Sequence, residues 1–384
     1  MLNFTPAEVF PPGEFLREEL EERGWTQLDL AEIIDKTPAM VNEIITGKRA
    51  ITPETARLLS EALGTSAKLW MNLESTYRLS RVTTPPAGGL VSRRAQLYVY
   101  PIRDMVRRGW IGGSSNIEVL EHQVAAFFRK QSIQDVPHFS HAAKKSGDAD
   151  PSPTQLAWLS RVRQLAEILS VSTYSRKKLE DALPTLRLLT QHPEEIKRVS
   201  KLLSEAGVRF LVVEALPGSR IDGVCFWLNK SSPVIAMTLR YDRVDNFWFV
   251  LRHEIEHVLR RDGKEKEIID SELEKEGTLA PGERTEEEIA ANKAAAEFCV
   301  PGAELTDFIA RVGPYYSAEG ILNFAKRIQV HPGLVVGQLH HRKELLYSYH
   351  VKYLVKVRHF VIDTAFSDGW GRILQINPVG TRRK

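Results

Sequence analysis

Between residues 14 and 80 apolar side chains recur three and four positions apart: Leu28, Ala31 and Ile34, then Val41, Ile44 and Ile45, then Ala56, Leu59 and Leu63. That spacing is helical, and turn chemistry cuts it into five short segments. Gly24 closes the first, Thr26 and Gln27 open the second, and Asp35-Lys36 makes a turn. Thr37 is suited to cap the third helix, with Pro38 at its first position and Gly47 at its end. The pattern predicts a compact bundle whose third helix turns Ala39, Asn42 and Glu43 outward. Helical periodicity continues to about Leu189. From Val208 the pattern changes to short apolar runs, Phe210–Val213, Val224–Leu228 and Val234–Leu239, flanked by Gly, Pro, Asn or Ser, which predict the strands of a small sheet. A further apolar helix follows, with Asp245 as its expected N-cap. Thr83–Gly89 and Ser146–Pro153 read as linkers, and no internal repeat is found. The expected fold is mainly α with a small β-sheet, an α+β arrangement. Its parts are a helical domain (1–82), a helical connector (83–190), a sheet-bearing domain (191–345) and a C-terminal extension of that domain (346–384).

Inside the last apolar helix stands His253-Glu254-Ile255-Glu256-His257. Positions i and i+4 share a helix face and i+1 projects beside it. Two imidazoles at that spacing can bind one Zn2+, and Glu254 falls where it can take a proton from metal-bound water. Two histidines on an apolar helix can also be satisfied core residues, so a third ligand matters. The stretch from Thr285 to Pro301 has strong helix formers, small residues that allow close approach to the histidine helix, and a terminating proline. A glutamate there would complete a His2Glu site with water in the fourth position. Spacing alone leaves Glu286, Glu287 and Glu288 open.

These residues carry a resemblance. The segment from about Gly207 to Pro301 is similar to the ImmA/IrrE family of metallopeptidases, in which an HExxH helix is followed by a helix reading Glu-x-x-Ala-Asn-x-x-Ala that ends in an apolar residue and proline. Glu288-Ile289-Ala290-Ala291-Asn292-Lys293-Ala294-Ala295 and Val300-Pro301 take those places here, and Arg240–Arg243 and Gly223–Trp227 also match. Glu256 stands where glycine is common and Ala294 where phenylalanine is usual. The resemblance implies a zincin-like metallopeptidase domain of the gluzincin kind holding one Zn2+ per chain. His253, His257 and Glu288 would be its ligands and Glu254 the catalytic base. Arg240, Tyr241 and His331 are candidates for stabilising the transition state, and an edge strand of the small sheet could hold an extended peptide by main-chain hydrogen bonds.

The N-terminal wording is equally specific. Pro12–Glu18, Asn42–Ala56 and Leu69–Leu73 resemble HigA-like antitoxins of the Cro/repressor class, in which a helix-turn-helix places its second helix in the DNA major groove. Pro11 stands where such proteins often have histidine. The resemblance implies backbone contacts from Thr26 and Gln27, base-edge contacts from Thr37, Ala39 and Asn42, and phosphate contacts from Lys48 and Arg49. It also implies a double-stranded DNA operator and a homodimer reading paired half-sites.

Charge resists that reading in part. Residues 1–80 hold 8 Lys and Arg against 13 Asp and Glu, whereas 81–180 hold 15 against 8. An acidic headpiece gains little from phosphate neutralisation, so binding must rest on a local patch at Lys48-Arg49 and on dimerisation. Lys144-Lys145 reads as a solvated face. With 43% hydrophobic and 26% charged residues, the 384-residue chain is an ordinary globular composition. No apolar run reaches the roughly 20 residues of a membrane span and no basic, apolar-cored leader is seen, so a cytoplasmic protein without membrane contact is expected. Cys225 and Cys299 cannot build a disulfide framework and suit a reducing compartment. Two functions follow. In the first, a DNA-binding transcriptional regulator hydrolyses a regulatory protein through a zinc-dependent endopeptidase domain. In the second, an antitoxin-like repressor of a toxin-antitoxin module binds a cognate toxin and carries a non-catalytic or sensory metal domain.

Overall fold

A computed structural model describes residues 9–81, 89–136, 151–263 and 285–369, together with the backbone of 143–145 and 267–271. The predicted linkers lie largely outside the described residues, as do the Lys144-Lys145 side chains and the extension past residue 369. Contacts divide the chain into two compact units, 1–89 and 90–384.

The first unit contains the five predicted helices: α1 (Pro12–Arg23), α2 (Gln27–Ile33), α3 (Pro38–Ile45), α4 (Pro53–Leu63) and α5 (Ala67–Arg81). Gly24 ends α1 in the left-handed region at φ 69°, where a side chain would be strained. Thr26 and Asp29 form a reciprocal capping box at α2, and the Thr37 hydroxyl accepts from the Met40 N–H at 3.3 Å to cap α3. Leu16, Leu30, Val41, Ile44, Ala56, Leu59 and Trp70 close the core. Leu28, expected inside, is exposed instead. The capping box fixes where α2 starts, Leu30 takes the inward place, and two residues correspond to about 200° of helical rotation. Glu74 of α5 accepts from the Ile51 N–H at 3.1 Å and from Arg78 Nε at 2.7 Å, tying down the loop between α3 and α4.

The second unit is built on a six-stranded sheet of β1 (Ala143–Lys145), β2 (Arg209–Val212), β3 (Ile221–Trp227), β4 (Pro233–Met237), β5 (Glu267–Ser271) and β6 (Phe366–Ser367), in the order β1-β5-β3-β4-β2-β6. β3 runs antiparallel to both β4 and β5, and the remaining pairs are parallel. Around it lie α6 (Leu90–Leu97), α7 (Ile102–Arg107), α8 (Ile117–Phe127), α9 (Pro153–Ile168), α10 (Arg176–Leu189), α11 (Val199–Ala206), α12 (Val244–Arg260), α13 (Glu286–Cys299), α14 (Gly302–Val312), α15 (Ala318–Arg327), α16 (Pro332–His341) and α17 (Arg358–Val361). The chain is thus mainly helical with one small sheet. Among the described residues no helix is long and apolar enough to cross a membrane.

Strand alternation sorts the sheet into two buried faces. Leu211, Val224, Phe226, Val234 and Ala236 pack with Met105, Trp158 and Val162, so α7 and α9 cover one side. Val212, Cys225, Trp227, Ile235 and Met237 pack with Val250, Leu251 and Val258 of α12 on the other. Two expectations change. β2, β3 and β4 match the three predicted strands, but none is an edge, because β5 pairs with β3 and β6 with β2. β6 pairs with Leu211 and Val212 of β2, and β5 with Ile221 and Gly223–Cys225 of β3, and both partners lie far away in sequence. Asp245 is not the N-cap of α12 either. Arg243 holds that place at φ −128°, and Asp245 sits in the first turn, taking Arg243 Nε at 3.0 Å. Asp242 fixes the turn by accepting from the Val357 and Arg358 N–H groups at 3.0 and 2.7 Å. A carboxylate two residues past the cap still favours the positive end of the helix.

Candidate metal centre and nucleic-acid interface

α12 contains no glycine or proline and is buried along most of its length, so it can hold His253 and His257 on one inward face. α13 reaches that face closely because Ala291 and Ala295, both fully buried, carry only methyl groups. Thr285 starts α13, its hydroxyl accepting from the Glu288 N–H at 3.4 Å, so that Glu288 points inward from the first turn. The three glutamates left open by spacing are therefore separated by burial: Glu286 is exposed, Glu287 is half-buried, and Glu288 is 2% exposed.

The structure brings His253, His257 and Glu288 into one cluster. Their donor atoms lie within 4.8 Å of one another, and among the described residues no other group of three or more His, Cys, Asp or Glu does this. The two Nε2 atoms are 3.0 Å apart; Glu288 Oε2 is 3.4 Å from His253 and Oε1 is 3.6 Å from His257. Ligands about 2.0–2.2 Å from a tetrahedral ion must themselves stand about 3–3.5 Å apart, so the donors fit zinc. Ring orientation agrees. His253 Nδ1 is 3.0 Å from Asn292 Oδ1 and His257 Nδ1 is 3.1 Å from Asp262 Oδ2. Those oxygens accept, so each ring donates from Nδ1 and turns an Nε2 lone pair toward the other. Two imidazole nitrogens and a buried carboxylate held this close form an arrangement that a cation between them would satisfy.

Glu254 is fully buried on the sheet side of α12, with its carboxyl group against Gly223 of β3. Asn292 and Asp262 were not singled out from the sequence. Asn292 could have been found, since it stands four residues after Glu288 and inside the quoted helix pattern. Asp262 lies just past α12, in a turn where Trp227 Nε1 donates to its carbonyl at 2.9 Å, and no spacing rule announces it. Of the flanking candidates, Arg240 stands 3.6 Å from Asp222 and 4.9 Å above the Tyr241 ring. His331 caps α16, its Nδ1 accepting from the Gly333 N–H at 3.1 Å, and burial lowers its pKa below the usual histidine value. Burial pushes the Cys299 thiol up to about 12, which keeps it protonated and apolar in behaviour.

In the first unit Thr26, Gln27, Thr37, Ala39, Asn42, Lys48 and Arg49 are all exposed, while Glu43 is half-buried. Thr26 also donates to Asp29 Oδ2 at 2.8 Å, and the Arg49 Nε lies 2.6 Å from Glu43 Oε2. An ion pair in solvent is worth about 0–1 kcal/mol, so this one holds Arg49 only weakly.

Residues 16–70 match the family model described as helix-turn-helix, and residues 205–340 match the IrrE N-terminal-like domain. The N-terminal unit is 33% identical over 69 residues to the uncharacterized HTH-type transcriptional regulator YddM of Escherichia coli, covering 18% of this chain and 73% of that protein. It is 39% identical over 69 residues to virulence-associated protein I of Dichelobacter nodosus, covering 18% of this chain and 64% of that one. Among solved structures, the antitoxin HigA of Pseudomonas aeruginosa with the higBA promoter is 31% identical, covering 21% of this chain and 98% of that chain, at a TM-score of 0.19. The chain belongs to the helix-turn-helix transcriptional regulators and joins to that headpiece an IrrE-type, peptidase-like domain.

Proposed function

We propose that this regulator binds an operator in double-stranded DNA as a homodimer in the cytoplasm, and that residues 191–345 act as a zinc-dependent endopeptidase on a regulatory protein. The observation that carries the second half is the convergence of His253, His257 and Glu288 from two helices, with Glu254 one residue from the first ligand. Zinc, when bound, would polarise a scissile carbonyl and bring the pKa of a coordinated water to about 7. His253, His257 and Glu288 would hold the ion, and Asn292 and Asp262 would keep both rings donating from Nδ1. Glu254 would accept a proton during attack and deliver it to the leaving amine. Sequencing the peptides released from candidate repressors by the zinc-loaded chain tests the reading, with Glu254→Gln as the blank; identical fragments from both would reject it.

The ring-orienting contacts give a graded expectation. Asn292→Ala and Asp262→Ala should each weaken zinc binding by about 10- to 100-fold, the usual cost of losing an outer hydrogen bond to a ligand histidine. Competition with a chelator measures this, and unaltered affinity in both variants would deny those residues the role.

For the DNA half, Asn42→Ala should weaken operator binding by about 1–3 kcal/mol and relax sequence preference, as loss of a base-edge contact does. Lys48→Ala should weaken all sequences alike and lower the salt slope by about 1. Fluorescence anisotropy at several salt concentrations separates the two patterns.

A second reading keeps the DNA-binding half and makes the metal half a sensor within an antitoxin-like repressor that binds a cognate toxin. It is favoured by the sealing of the cluster, since His253, Glu254 and His257 expose no surface. Zinc-dependent operator affinity without any cleavage product would select it.

A further inference from the structure

We propose that Gly223 of β3 is a positioning residue for the peptidase reaction: the missing side chain makes a slot that seats the Glu254 carboxyl group. The proposal rests on the endopeptidase reading above. Three observations meet at this residue. Gly223 shares a sheet face with Cys225 and Trp227, both of which pack into the core against α12, so an apolar side chain would be expected there. Glu254 occupies that space instead. A Cβ on Gly223 would lie 2.0 Å from Glu254 Oε1, 2.8 Å from its Cδ and 3.0 Å from Val250 Cγ1. The third observation is a register shift in the β3–β5 pairing at this point: Ile221 faces Ser271 and Gly223 faces Asp270, so Asp222 is an extra residue on β3. Bulges of this kind re-aim a strand locally and recur beside active sites. Thr238 fastens the bulge, its N–H donating to Asp222 O at 3.1 Å and its hydroxyl to Ile221 O at 2.7 Å.

The geometry decides what an added methyl group does. Its nearest neighbours are the far end of the Glu254 side chain, which can rotate, rather than backbone, which cannot. Gly223→Ala therefore displaces the carboxyl group and leaves the fold and the three ligands in place. Misplacing a reacting group by about 1 Å can cost on the order of 100-fold in rate. The loss should fall on kcat with KM little changed, because Glu254 acts in the transition state and not in holding the peptide.

The test uses the full chain loaded with cobalt or zinc. Gly223→Ala should retain metal stoichiometry and the visible spectrum of the cobalt form, lose about 10- to 100-fold in kcat, and show a moved Glu254 carboxyl group in its crystal structure. In a Glu254→Gln background the same glycine substitution should lower the residual rate less than twofold, since the base it positions is already gone. An equal fold-loss in both backgrounds, or wild-type kcat in Gly223→Ala, overturns the proposal. If the wild type cleaves nothing, the peptidase reading fails separately. The slot is then judged by the crystal structure alone, where an unmoved Glu254 overturns it and a displaced one with an unchanged cobalt spectrum upholds it.

Discussion

Glu254→Gln is expected to keep its metal and lose about 100- to 10,000-fold in turnover, the contribution of a positioned general base. The amide is nearly isosteric with the carboxyl group, so it fits the space against Gly223 and leaves His253, His257 and Glu288 undisturbed. It cannot accept the proton. Elemental analysis should therefore find zinc unchanged while release of peptide fragments slows by that factor. A variant that still cleaves at the wild-type rate would remove Glu254 from the mechanism. A variant that loses zinc would mean that the carboxyl group supports the site electrostatically, a different role for the same residue.

The second large effect separates three adjacent glutamates. Glu288→Ala should abolish zinc binding at micromolar metal, whereas Glu286→Ala and Glu287→Ala should bind as the wild type does. The reason is position on the helix: Glu288 is 2% exposed and faces both Nε2 atoms, while Glu286 is exposed. Thermal unfolding offers a readout independent of catalysis. A ligand that binds only the folded state adds about 2.7 kcal/mol of stability at a free concentration of one hundred times Kd. Zinc should thus raise the unfolding temperature of the second unit in the wild type and in the Glu286 and Glu287 variants, but not in Glu288→Ala. Equal zinc stabilisation in all four would place the third ligand elsewhere.

Much of the molecule could be read before the fold was seen. The five helices of the first unit followed from apolar spacing and from Gly24, Thr26, Thr37 and Pro38, because caps and breakers act on backbone within a few residues of themselves. The histidine pair followed from the four-residue repeat of a helix, and β2, β3 and β4 from bounded apolar runs. Errors came where a local rule met a neighbour from elsewhere. Leu28 fits an inward period but lies outside, since the capping box sets the start of α2 and Leu30 takes the core position. Asp245 suits an N-cap, yet the contacts of Asp242 with residues 357 and 358 start α12 at another place.

What the sequence determined by itself was local: which segments are helical, where they stop, and that two imidazoles and a carboxyl group share one helix. Tertiary structure decided the rest. It brought Glu288 to the two histidines by placing the first turn of α13 against α12, set Asn292 and Asp262 behind the histidines, flanked β2, β3 and β4 with other strands, and left Gly223 bare beside Glu254. The physical reason is that hydrogen bonding within a helix or turn is fixed by neighbours along the chain. Close approach between helices, and the filling of a gap between a strand and a helix, depend on the volumes of residues that meet only after folding.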